Sequence, residues 1–102
     1  MVYEVVWTDK ADESFAENIA YLQERWSERE IKNFVSVVEE KLAILSNHPN
    51  TGSPRSQKHP NIRYTVLLKR ISLIYRVKPK QKRIELLLFW NTYQHPSRLK
   101  IR

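Results

Sequence analysis

The segment YLQERWSEREIKNF, residues 21–34, joins two helical patterns and determines the layout of the chain. Ser27-x-x-Glu30 within it has the form of a capping box, in which the serine and glutamate side chains each bond the other residue's backbone N–H. The spacing therefore predicts that one helix ends near Trp26 and that a second begins at once. Two helices with almost no connection between them fold back as an antiparallel pair.

The residues on either side of this connection predict two amphipathic helices. Thr8 is suited to cap the first helix, and Asp9 follows it in the first turn, where the helix dipole favours negative charge. Apolar residues then recur at helical spacing, as Ala11, Phe15, Ile19, Leu22 and Trp26 in the first helix and as Ile31, Val35, Val38, Leu42 and Leu45, with Phe34 alongside, in the second. Each helix thus has one apolar face to bury.

The rest of the chain is typical of strands and turns. A short β-branched and aromatic run covers residues 2–7, a loop rich in proline and polar residues covers 48–60, and a strand at 83–90 has an apolar centre at 86–88. Two further strands meet at a tight turn, Lys69-Arg70, and a basic turn follows at 79–82. Their apolar alternation is Tyr64, Val66 and Leu68, then Ile71, Leu73, Tyr75 and Val77, which leaves Arg63, Thr65, Ser72 and Arg76 on a polar, basic face.

The order β-α-α-β-β-β predicts a small α+β domain with a mostly antiparallel sheet and a helical hairpin packed on one face. The 102 residues fit a single domain, 1–102. The chain has no cysteine, which fits a reducing compartment, and we expect a cytoplasmic protein. The longest apolar run, 86–90, is far below the roughly 20 residues that span a bilayer, so no membrane association is expected.

Charge is strongly segregated along the sequence. Residues 1–51 contain five Lys and Arg against ten Asp and Glu, a net charge of −5, whereas residues 52–102 contain thirteen against Glu85 alone, a net charge of +12. Basic surface of this density attracts nucleic acid, an acidic protein segment or anionic lipid. The pattern narrows the class of partner without choosing among these three.

Few residues point to chemistry. The three histidines lack the spacing of metal ligands, and Gly52 is the only glycine, so we expect neither a metal nor a nucleotide cofactor. Metal-free RNA cleavage needs a base, an acid and cations around the phosphate. The candidates are Arg63 and Arg76 as a phosphate clamp, Tyr93 or His95 for proton transfer, and Arg98 for added charge. Structural alternatives remain open, since Arg76 can pair with Glu85, Tyr93 can cover the sheet edge and His95 can belong to a turn.

Taken together, the patterns resemble the RelE/ParE superfamily of small bacterial toxins over nearly the whole chain. The resemblance includes the strand ending VVWT, the helix pair, and the segments IRYTVLLKRISLIYRV and RIELLLFW. Its most specific parts are Pro49-x-x-Gly52 after the second helix, Arg63 some ten residues later, and Tyr75-Arg76 near the end of the next strand. The resemblance implies a single toxin domain from a type II toxin–antitoxin pair.

The resemblance also implies a partner and two possible targets. The partner is a cognate antitoxin whose acidic or amphipathic C-terminal segment wraps the toxin. The RelE branch cleaves messenger RNA on the ribosome, whereas the ParE branch poisons DNA gyrase without enzymatic action. The strand segments 64–68 and 71–73 lack the basic residues of the ribonuclease branch, which favours the ParE-like branch. The alternatives are a RelE-like ribosome-dependent endoribonuclease and a non-catalytic basic binding module, so whether the chain is an enzyme stays open.

Overall fold

The computed structural model describes residues 2–55, 57–68 and 71–92. The elements are β1 (Glu4–Trp7), α1 (Asp9–Arg25), α2 (Glu28–Asn47), β2 (Ser53–Pro54), β3 (Ile62–Leu68), β4 (Ile71–Lys78) and β5 (Arg83–Asn91). The strands form one sheet in the order β1-β5-β4-β3-β2, with β1 parallel to β5 and the other neighbours antiparallel. The predicted α+β class and element order are confirmed. The short β2, inside the predicted loop, was not foreseen, and the predicted Lys69-Arg70 turn lies outside the described residues.

The helix boundaries follow from the caps that the sequence predicts. Thr8 Oγ1 accepts a hydrogen bond from the Ala11 N–H at 3.2 Å. Ser27 Oγ accepts from the Glu30 N–H, and Glu30 Oε1 accepts from the Ser27 N–H, both at 3.3 Å. The capping box therefore ends α1 and begins α2 within three residues, as predicted. Within the described residues, neither helix combines the length and apolar character needed to cross a bilayer.

The core lies between the helix pair and one face of the sheet. Both predicted helical stripes contribute to it, with Ala11, Leu22, Phe34, Val38 and Leu45 buried. Aromatic rings fill the region where α1 meets β1 and β5. Phe15 packs edge-on against Trp7 and Phe89, with ring centroids 5.5 and 5.2 Å apart, and Trp7 stacks on Phe89 at 5.4 Å. These large apolar surfaces stabilise the docking of α1 on the sheet.

The predicted alternation of β3 is wrong for Tyr64 and Val66, whereas Leu68 packs against the core as predicted. Thr65 and Leu67 are buried, whereas Tyr64 and Val66 retain 40% and 55% of their exposure. The register explains the difference, because Thr65 pairs with Leu73 of β4, and directly paired residues share a face. Ile62, Tyr64 and Val66 consequently point away from the helices, to the side called here the open face, whereas Leu68, beyond a bulge, pairs with the buried Ile71 and packs against the core.

This register also divides the basic face that the alternation predicted. Arg63 pairs with the buried Tyr75 and lies on the helix side, whereas Arg76 pairs with Ile62 and lies on the open face. Ser72 pairs with Val66 and shares the open face. A slip of one residue moves a whole set of strand side chains to the other face. Arg63 and Arg76 therefore do not form one cationic surface.

The free edge of β5 is covered by a helix. β1 pairs with β5 only as far as Leu86. Beyond it, the Phe89 N–H donates to Ser14 Oγ at 2.9 Å, and Asn18 Nδ2 donates to the Phe89 carbonyl at 3.1 Å. Thr8 Oγ1 donates to the Leu86 carbonyl at 2.6 Å. Side chains of α1 and its cap thus replace the missing strand, which leaves fewer buried backbone groups without partners.

Replacing Ser14 by alanine is expected to destabilise the fold by about 1–3 kcal/mol, because the buried Phe89 N–H loses its acceptor. The free energy of unfolding, measured by urea denaturation, checks this expectation. Ser36→Ala is the matched control, since Ser36 is exposed on α2 and its replacement should change stability by no more than about 0.5 kcal/mol. Equal losses in the two variants would show that the Ser14–Phe89 bond contributes little.

Candidate functional site

The loop after α2 is fastened to the sheet by one tyrosine. Tyr75 Oη accepts a hydrogen bond from the Gly52 N–H and donates to the Pro49 carbonyl, both at 2.9 Å. The side chain is fully buried. Burial raises the pKa of the Tyr75 phenol above its ordinary value of 10.0, against the opposing effects of the Gly52 hydrogen bond and the Arg63 charge. The phenol is therefore held neutral as the anchor of this loop.

Position 52 has no room for a side chain, so it requires glycine. A Cβ added there would lie 2.6 Å from both the Tyr64 carbonyl oxygen and Tyr75 Oη. No residue with a Cβ fits at this position without displacing the strand backbone. The Pro49-x-x-Gly52 motif is thus explained by the close approach of the loop to β3 and β4.

Arg63 belongs to the same structural arrangement. Its guanidinium donates to the Gly52 carbonyl at 2.5 Å and to the Asn50 carbonyl at 3.3 Å. Charge-assisted bonds of this kind are stronger than neutral ones. The sequence suggested a phosphate clamp at this position, whereas the structure places the side chain against loop carbonyls.

Arg76 lies on the open face beside a single carboxylate. Arg76 Nη1 is 3.4 Å from Glu85 Oε1, and Lys78 Nζ is 3.5 Å from Glu85 Oε2. The Glu85 side chain is only 18% exposed, so this bridge is better shielded than an ordinary surface pair. The pairing of Arg76 with Glu85, the structural alternative considered from sequence, is the one observed. Next to it, Ile74 is buried and Tyr64 and Val66 are exposed.

Only two of the five candidate residues lie within the part of the chain that the structure describes. Tyr93, His95 and Arg98 lie outside the described residues. Of the two candidates that the structure describes, Arg63 faces the helices and Arg76 faces the opposite side. Across residues 2–55, 57–68 and 71–92, no three His, Asp or Glu side chains are grouped in a way that could hold a metal ion.

A basic cleft lies where β3 begins and β4 ends, and it was not predicted from the sequence. It has a volume of about 610 Å³, and its lining consists of Lys58, His59, Pro60, Asn61, Ile62, Arg76, Val77, Lys78, Pro79, Lys80 and Gln81. The signal lies in two short segments that combine Lys or His with Pro, 58–60 and 78–80, which belong to two separate turns along the sequence. Only the strand pairing brings them together.

Tyr75→Phe should lower the free energy of unfolding by about 1–3 kcal/mol at neutral pH, since the buried Gly52 N–H and the partly buried Pro49 carbonyl lose their partner. The difference in the free energy of unfolding between wild type and variant should decrease as pH rises above 10.0. A raised pKa in the folded state means that the phenol stabilises the fold fully below the unfolded pKa, and that this contribution is lost as pH rises through the folded pKa.

Urea midpoints at neutral and strongly alkaline pH check this prediction. Tyr64→Phe, which removes a phenol from the open face, is the matched control. A gap that narrows equally in both variants would contradict the role assigned to the buried Tyr75 phenol.

Comparisons with known proteins agree with this architecture. Among solved structures, the chain is similar to the chromosomal ParDE toxin–antitoxin system from P. aeruginosa, with 22% identity over 88% of this chain and 96% of the other and a TM-score of 0.69. It is also similar to the RelBE2 complex from Mycobacterium tuberculosis (18% identity, 89% and 99% covered, TM-score 0.64). A mutant of E. coli RelE in the free state matches at 11% identity, 94% and 90% covered and a TM-score of 0.64.

The sequence itself identifies the family. A search of curated proteins finds no match. The family model described as ParE toxin of type II toxin-antitoxin system, parDE, matches residues 5–96, most of the chain. The similarity to the RelE/ParE superfamily inferred from the strand and helix motifs is thereby confirmed, with the ParE-like branch as its place. The chain therefore belongs to the ParE family of toxins of type II toxin–antitoxin systems.

Proposed function

We propose that this toxin inhibits growth by binding DNA gyrase through protein contacts, and that a cognate antitoxin neutralises it by covering the open face of the sheet. The family match over residues 5–96 identifies a toxin, and the proposal adds the molecular target of that toxin. The structural observation that carries it is the placement of Arg63 and Arg76 on opposite faces. Fold similarity alone does not decide between targets, because related folds host different activities.

The placement of Arg63 and Arg76 favours binding to a protein target over cleavage of RNA. Cleavage of RNA without metal needs cations, an acid and a base that converge on one phosphate. Arg63 is occupied by the carbonyls of Gly52 and Asn50, and Arg76 by the carboxylate of Glu85. Two guanidiniums on opposite sides of a sheet cannot grip the same phosphate. These side chains instead support a rigid surface suited to a protein target.

The open face has the features of a protein contact surface. Tyr64 and Val66 are adjacent even-numbered positions of β3 and are both exposed. β2 pairs only with Arg63 and Tyr64, and among the described residues no strand continues beside β3 toward Leu68. An exposed strand edge beside apolar side chains can accept an extended segment of a partner. We assign this surface to the antitoxin.

Charge complementarity supports an acidic or amphipathic antitoxin segment. The +12 charge of residues 52–102 favours association with an anionic chain and opposes a basic one. The RelBE2 structure similar to this chain is a toxin–antitoxin complex. By extension, we expect the apolar residues of the antitoxin segment to cover Tyr64 and Val66 on the open face.

The gyrase proposal predicts that the full chain, made by cell-free synthesis, inhibits supercoiling by bacterial gyrase in a dose-dependent manner. Messenger RNA should remain intact when the same preparation is added to ribosomes carrying out translation. The chain preincubated with its antitoxin is the matched control and should leave supercoiling unchanged. Ribosome-dependent cleavage of the messenger, with supercoiling unaffected at excess toxin, would replace this proposal with the endoribonuclease function.

The antitoxin proposal predicts that replacing both Tyr64 and Val66 by serine weakens antitoxin binding by about tenfold or more, corresponding to at least about 1.4 kcal/mol. Titration calorimetry measures the dissociation constant. Ile44→Ser is the control, because Ile44 is 45% exposed but lies on α2, on the other side of the sheet. A larger loss from Ile44→Ser would move the antitoxin contact to the helices.

A further inference from the structure

The basic cleft contains cations without carboxylates. Four of its lining residues are Lys or Arg, one is His, and none is Asp or Glu. Glu85, just outside the lining, pairs with Arg76 and Lys78. Lys58 and Lys80 are exposed, and neither makes an ion pair with any described residue. The charges of Lys58 and Lys80 are thus balanced by no described carboxylate, whereas Arg76 and Lys78 share the single negative charge of Glu85.

The cleft walls are two turns held by backbone hydrogen bonds. On one side, the Ile62 N–H donates to the His59 carbonyl at 3.0 Å, and the Val77 N–H donates to the Asn61 carbonyl at 2.8 Å. On the other, the Lys82 N–H donates to the Pro79 carbonyl at 3.2 Å. Pro60 and Pro79 further restrict the two turns. The backbone that bears the lysines is therefore ordered before a ligand binds, which lowers the entropy cost of binding.

The second turn contains a lysine where glycine is favoured. Lys82 has φ 50°, in the left-handed region that side chains other than glycine adopt at a cost. Such conformations persist where the surrounding structure or a function requires them. Lys82 follows the cleft-lining Lys80 and Gln81 and adds a further cation to this turn.

We propose that the basic cleft binds the phosphodiester backbone of a nucleic acid without reading its sequence. A lysine ammonium is a compact charge that contacts phosphate from many directions, which suits a backbone of repeating anions. The lining has no Phe, Tyr or Trp, and its one aromatic ring is the imidazole of His59. Its volume of about 610 Å³ is within the usual size of ligand sites, about 300–1,000 Å³. These features favour backbone phosphates over an acidic peptide.

The test measures binding of a fluorescent DNA duplex to the free full-length toxin as salt concentration is varied. The logarithm of the binding constant should fall linearly with the logarithm of salt concentration, with a slope of about −0.9 for each phosphate contacted. Replacing both Lys58 and Lys80 by alanine should reduce the magnitude of that slope by about 2. The double replacement by arginine should restore it.

Replacing both Lys10 and Arg29 by alanine provides the control. Both residues are exposed on the helices, and their loss lowers the net charge of +7 by the same two units. Equal weakening of DNA binding in the two double variants would overturn the proposal, because it would reveal attraction by net charge alone. Unchanged urea midpoints in both variants will show that the fold is retained.

Two competing ligands complete the experiment. A polyglutamate peptide that binds more tightly than the duplex, and loses affinity on replacement of Lys58 and Lys80, would overturn the proposal in favour of an acidic protein partner. A duplex RNA of equal length separates the two sources of phosphodiester, since tighter binding of either nucleic acid assigns the cleft to it. DNA binding is measured without gyrase, so a toxin that does not bind DNA leaves the gyrase proposal unaffected. A toxin that does not inhibit gyrase likewise leaves the nucleic-acid proposal unaffected.

Discussion

The contact of α1 with the free edge of β5 is the constraint on which the rest of the structure depends. A sheet edge in a protein interior needs partners for its N–H and C=O groups, and Ser14 and Asn18 supply them at Phe89. These short polar side chains bring the helix close enough for Phe15 to pack against Trp7 and Phe89. Hydrogen bonding thus fixes the position of α1, and apolar packing then stabilises it.

The position of α1 determines the positions of the other elements. The capping box at Ser27 turns the chain back at once, so α2 must lie beside α1 on the same face of the sheet. The end of α2 then delivers the loop that Tyr75 and Arg63 hold against β3 and β4. Since both helices occupy one face, the opposite face remains for Arg76, Glu85 and the exposed side chains of β3.

Local sequence signals predicted the helices and the family, while long-range pairing decided the site. The caps at Thr8 and Ser27 depend on residues three positions apart, so the sequence alone reveals them. The face of β3 was ambiguous, because both alternating sets contain apolar residues, and only pairing with β4 shows that Thr65 and Leu67 are inside. For the same reason, neither the separation of Arg63 from Arg76 nor the assembly of the basic cleft could be predicted without strand register.

The segregation of charge has a consequence for how the molecule meets its partners. The half that includes both helices carries −5, and the half that supplies β3, β4, β5 and the basic cleft carries +12. Such a molecule has a permanent electric dipole, and the field of a polyanion rotates it during approach. The dipole thereby selects the orientation of encounter and raises the association rate most strongly at low ionic strength.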